Sequence, residues 1–198
     1  MFNLPNILTL SRIAIIPVVV ALFYWDSPTT RWVMCGLFTA AGITDFFDGY
    51  IARRSNQVSP FGRFLDPIAD KLLVGALLLM LVGFDRMSVW AYFPAVVILV
   101  RELLVSGLRE FLAETQVSVP VTQLAKWKTT LQMFSLGFLI VGSDAPAWIP
   151  AQGIGEAGLW LSALLTLVTG YDYLKAGIRH MLELEDTSKS GASDLGES

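Results

Sequence analysis

Cysteine is almost missing from this chain of 198 residues. The single thiol, Cys35, excludes an intrachain disulfide, and its apolar surroundings in the sequence read as packing rather than reactivity. Histidine is as scarce, with His180 alone near the C-terminal end. Charge is low too. Charged residues make up 16% and hydrophobic residues 54%, where a soluble domain carries about 25% charge. The few charges gather in short stretches between long apolar runs, which is the pattern of a membrane protein. The formal net charge of −3 says little about partners, because membrane proteins sort charge by side, and nothing in it points to nucleic acid. A secretory cleavage signal is also missing: only Arg12 leads the first apolar run and no small-residue cleavage site follows, so this run is expected to stay in the mature protein.

A membrane helix needs about 20 mostly apolar residues. Six segments qualify: Leu8 to Trp25, Trp32 to Ile51, Phe64 to Phe84, Val89 to Phe111, Leu124 to Val141 and Gly158 to Ile178. Pro17 and Pro94 fall inside the first and fourth, where a membrane helix tolerates kinks. The expected fold class is an all-α integral membrane protein with six transmembrane helices. Residues 1–185 form its membrane domain, and the Ser-, Gly- and acid-rich stretch Asp186–Ser198 forms a disordered cytoplasmic tail. Asn3–Ser11 reads as either an interfacial helix or an extension of the first span.

Basic residues alternate between the two sides. Arg12, Arg53, Arg54, Arg63, Arg109, Lys126, Lys128, Lys175, Arg179 and Lys189 fall on one side, against Arg31 and Arg86 on the other. The positive-inside rule places both termini in the cytoplasm. Trp25, Trp32, Trp90 and Trp148 sit near span ends on the far side, as an interfacial belt does.

Four acids stand at the cytoplasmic ends of the second and third spans. Asp45 and Asp48 are three residues apart, Asp66 and Asp70 four apart. Either spacing puts two carboxylates on one helix face. If the Arg53–Arg63 connection folds the faces together, four like charges converge in a low-dielectric setting and need compensation. Ion pairs with Arg53, Arg54, Arg63 and Lys71 would supply it. A divalent cation would supply it better, because hard oxygen ligands suit Mg²⁺, Mn²⁺ or Ca²⁺. Four acids can hold two ions at roughly 3.5–4 Å, a spacing suited to phosphoryl chemistry. Gly49 and Gly62 let a bulky ligand approach the backbone. Arg53 is placed to pair with a phosphate, and Ser59-Pro60 reads as a helix start.

Taken together, Asp45-x2-Asp48-Gly49-x2-Ala52-Arg53-x8-Gly62-x3-Asp66-x3-Asp70 resembles the signature of the CDP-alcohol phosphatidyltransferase family at every fixed position and spacing. The resemblance implies six transmembrane helices, a homodimer, an active site at the cytoplasmic face and a bacterial inner-membrane location. It also implies Asp45, Asp48 and Asp66 as metal ligands, with Asp70 as the base and a further ligand for Mg²⁺ or Mn²⁺. Gly49, Ala52, Arg53 and Ser59 would line the CDP site, and Thr9 would reach it from the lead-in.

Three further stretches resemble the members of that family whose acceptor is sn-glycerol 3-phosphate and whose lipid donor is CDP-diacylglycerol. They are Asn3–Arg12, Arg101–Glu110 and Lys126–Gln132. A phosphate dianion wants several cationic donors, and Arg101, Arg109, Lys126 and Lys128 are the candidates. Arg101 beside Glu102 reads equally as a buried ion pair, and the two lysines as snorkelling side chains. The rival readings are the same chemistry with serine, inositol phosphate or phosphatidylglycerol as acceptor, and a cation transporter. A transporter predicts acids spread through membrane depth on several spans, whereas these four gather at one face.

Overall fold

The computed structural model describes residues 4–55, 60–114 and 123–194. Side chains are described for 7–45, for Gly62 and Leu65, for 68–112, for 123–171, and at 173–175, 177 and 178. The described residues form six α-helices and one short 3-10 turn, with no strand among them. The helices are α1 (Leu4–Leu22), α2 (Pro28–Ser55), α3 (Pro60–Gly83), α4 (Val89–Glu114), α5 (Gln123–Val141) and α6 (Ala151–Asp194), and the turn is Gly142–Asp144. Each expected apolar segment becomes one helix. The lead-in and the first span are a single unbroken α1 that carries Pro17 inside it. Helical backbone likewise continues from the sixth apolar segment through Asp194, past Asp186. Gly142 takes a positive φ of 54° directly after α5, the conformation that favours glycine at a helix end.

The helices pack as a ring: α1 against α2, α2 against α5, α5 against α6, α6 against α4, α4 against α3, and α3 back against α1, with α3 also touching α5 across the middle. Every helix contributes to the core, through residues such as Val19, Phe38, Leu77, Ile98, Leu136 and Leu159, all 2% exposed or less. The outward faces remain apolar, with Leu79, Trp90, Phe93, Phe134 and Leu164 exposed. Two helices, Val89–Leu112 and Ala151–Lys175, are long and apolar enough by themselves to cross a membrane. In a membrane, close packing replaces the hydrophobic effect as the driving force between helices, and small residues at the seams permit it. A Cβ on Gly158 of α6 would overlap Ser135 Oγ and come within 3.3 Å of Ser135 Cβ on α5.

The end of the ring away from the aspartates is cross-tied. Arg31 donates to both carboxylate oxygens of Asp26 at 2.7 and 2.8 Å and to Ser143 Oγ at 2.7 Å. It also pairs with Asp144 at 3.2 Å. Arg86 donates to Asp26 at 2.9 Å, and its guanidinium lies 4.5 Å from the Phe23 ring centre. The Arg31 hydrogen bond, aided by the Arg86 charge, holds the Asp26 carboxyl below the usual aspartate range, whereas burial lowers Arg86. Ser88, just before α4, donates its backbone N–H and its hydroxyl to Glu156 of α6, both at 2.7 Å.

Candidate active site

Helix α2 carries Asp45 to one end of the ring, and the connection into α3 brings Asp70 to the same end. In backbone packing α1 contacts both α2 and α3, the two acidic helices. That placement gives Arg12 of α1 its role. Arg12 is 2% exposed and pairs with the Asp45 carboxylate. The fold makes Arg12 the counter-ion of a candidate metal ligand. Thr9, one turn earlier on α1, is fully buried.

Asp70 lines a small open cleft, with about 30 Å³ of water-accessible space, whose polar lining is Asp70, Lys71, Glu102, Thr129 and Gln132. Beneath it lies a charged cluster drawn from three helices. Lys71 of α3 donates to Asp70 Oδ2 at 3.0 Å and pairs with Glu102 Oε2 of α4 at 2.9 Å. Lys128 of α5 donates to Glu102 Oε1. Arg101 comes within 3.8 Å of the same oxygen and donates to Thr169 Oγ1 of α6 at 2.8 Å. Its side chain runs against Gly170, where an added Cβ would lie 3.2 Å from Arg101 Cγ. Glu102 and Lys128 are both buried. A buried carboxylate between two lysines is the compensation that low-dielectric burial of charge requires.

The four acceptor candidates therefore separate. Lys128 and Arg101 belong to the buried cluster at the cleft, and Lys128 is tied to Glu102 rather than snorkelling. Lys126 and Arg109 are exposed. Two residues along a helix turn the side chain through about 200°, which is why Lys126 and Lys128 face opposite ways. The side chains of Asp48, Ala52, Arg53 and Asp66 and the surroundings of Gly49 lie outside the described residues, as does Ser59 altogether. Gly62 is buried on α3.

Asp45 and Asp70 keep 47% and 38% of their side-chain surface. Among the described residues no three acids, histidines or cysteines come together. The donors at this end are carboxylate oxygens, which fit a hard divalent cation. Sequence reading missed the hub role of Glu102 and the position of Gln132. The only signal for Glu102 was a lone acid beside Arg101 deep in an apolar span.

Known proteins bear on this site in three ways. A sequence model of the family described as CDP-alcohol phosphatidyltransferase matches residues 2–168. The chain is 55% identical over 174 residues to a Rickettsia bellii protein named CDP-diacylglycerol–glycerol-3-phosphate 3-phosphatidyltransferase, covering 88% of this chain and 94% of the relative. It is 41% identical over 187 residues to a Pectobacterium atrosepticum protein of the same name, covering 92% and 98%. The fold is similar to the crystal structure of Mycobacterium tuberculosis phosphatidylinositol phosphate synthase, with a TM-score of 0.64 over 86% of this chain and 87% of that one at 20% identity. The matched region spans both acidic helices and the Glu102 cluster, and the chain belongs to the CDP-alcohol phosphatidyltransferase family.

Proposed function

We propose that this chain is an enzyme that transfers the phosphatidyl group of CDP-diacylglycerol to sn-glycerol 3-phosphate, giving phosphatidylglycerophosphate and CMP. One observation carries the acceptor: relatives named for that reaction share up to 55% identity across nearly the whole chain. The charges support it, because a small anionic alcohol meets a carboxylate and a lysine in the cleft, with further cations beside them. Inositol phosphate, serine and phosphatidylglycerol remain the competing acceptors.

In the proposed reaction Asp70 takes the proton of the acceptor's primary hydroxyl. The hydroxyl oxygen bonds to the lipid-linked phosphorus as the bond to CMP breaks, with no enzyme-bound intermediate. Asp45, Asp48, Asp66 and Asp70 would hold divalent metal, Mg²⁺ or Mn²⁺. When bound, it supplies charge neutralisation at the pyrophosphate. Arg12 holds the Asp45 carboxylate in place. Gly49, Ala52, Arg53, Ser59 and Thr9 form the proposed CDP site, and Lys128 and Arg101, with Arg109 and Lys126 nearer the surface, attract the acceptor phosphate. The setting is a bacterial inner membrane, where each protomer of a homodimer spans six times with both termini cytoplasmic. The long apolar helices with apolar outward faces support this placement.

Purified protein offered each acceptor in turn, with CMP release measured, tests the reading. Glycerol 3-phosphate should give the highest rate. Silence with it and turnover with serine or inositol phosphate would reassign the acceptor.

A further inference from the structure

Gln132 of α5 is 4% exposed and lines the cleft that Asp70 opens. Its Oε1 is buried and has no hydrogen-bond partner among the described residues. A polar atom left unsatisfied inside a protein costs free energy, more so at membrane depth, and such atoms mark sites that a ligand completes. Around it the cleft is already partnered. Lys71 and Lys128 are engaged with Glu102, and Thr129 donates back to Ala125 at 3.1 Å.

We infer that Gln132 determines acceptor specificity by hydrogen-bonding the central hydroxyl of the glycerol unit. The inference rests on the acceptor proposed above. Glycerol 3-phosphate brings three polar groups into the cleft. The phosphate is met by the lysine cations and the reacting primary hydroxyl by Asp70. The secondary hydroxyl takes no part in bond making, yet it must be desolvated, and Gln132 is the uncommitted polar side chain beside it. A hydroxyl both donates and accepts, so it satisfies the amide in either orientation. A site built to bond a substrate hydroxyl rejects an analogue without it, because its own polar group is then left unpaired.

The test compares two acceptors, glycerol 3-phosphate and 3-hydroxypropyl phosphate, which lacks the central hydroxyl, on the full-length enzyme in detergent micelles. The wild type should prefer glycerol 3-phosphate by about 10- to 100-fold in kcat/KM. In Gln132→Met the preference should fall to within about threefold, mostly through loss with glycerol 3-phosphate, while KM for CDP-diacylglycerol stays unchanged. A variant that loses activity equally with both acceptors would overturn the inference. So would a wild type that uses both equally well, a result independent of how the variant folds. If the wild type releases no CMP from either compound, the proposed acceptor fails and this inference with it. Equal use of both overturns this inference alone.

Discussion

The buried Glu102 carboxylate of α4 accepts a hydrogen bond from Lys128 of α5, 26 residues apart in sequence. Lys71 pairs with the other carboxylate oxygen, so Glu102 is the counter-ion of two lysines at once. Glu102→Ala strands the buried Lys128 ammonium and leaves part-buried Lys71 with Asp70 alone, and should cost roughly 3–5 kcal/mol. Lys126→Ala, two residues from Lys128 but exposed, should stay within about 0.5 kcal/mol. Thermal unfolding in detergent micelles measures both. Equal effects would mean that the cluster is not buried as described.

Asp70→Asn preserves shape but removes the proposed proton acceptor. Turnover should drop by about 10²–10⁴-fold, with unfolding temperature and CDP-diacylglycerol binding retained. Exhaustive chelation should silence the wild type reversibly, with Mg²⁺ or Mn²⁺ restoring CMP release. Persistence of activity after chelation would remove metal from the site.

The far-end tie predicts an acid-sensitive contribution to stability. Asp26 titrates below the ordinary aspartate value of 3.8, first because of its bond to Arg31 and then because of the nearby Arg86 charge. A carboxyl with a depressed folded-state pKa stabilises fully above its unfolded value and loses that contribution as pH falls through the folded one. Wild type should therefore unfold at a higher temperature than Asp26→Asn near neutrality, and the gap should close as pH falls below about 4. A gap that persists unchanged in acid would exclude the charge as its source.

The α5–α6 seam gives a paired prediction. Gly158→Ala drives a methyl group into Ser135 Oγ, and such overpacking costs about 1–3 kcal/mol. Ser135→Ala removes the obstructing oxygen, so the double variant should recover most of the loss. Additive losses would show that the two residues do not meet.

The aspartate motif and the six apolar segments were legible because each is local: helical spacing and run length are written along the chain. Glu102 was not, since its partners lie 31 residues back on α3 and 26 ahead on α5. The pairing of Arg12 with Asp45 was hidden for the same reason. It depends on α1 packing against both α2 and α3. Gln132 stood in the sequence only as the end of the Lys126–Gln132 stretch, because an amide in an apolar span gains meaning only when its oxygen is found without a donor.

Asp26, Arg31, Arg86, Ser143 and Asp144 bind together the connections at one end of the ring. A bundle fastened at one end and loaded with unlike ligands at the other behaves like tongs with a fixed rivet. Any spreading that lets a two-tailed lipid slide in sideways is confined to the catalytic tips. Amide hydrogen exchange along α2 and α3 should then be graded, slow beside the rivet and quick toward the aspartates.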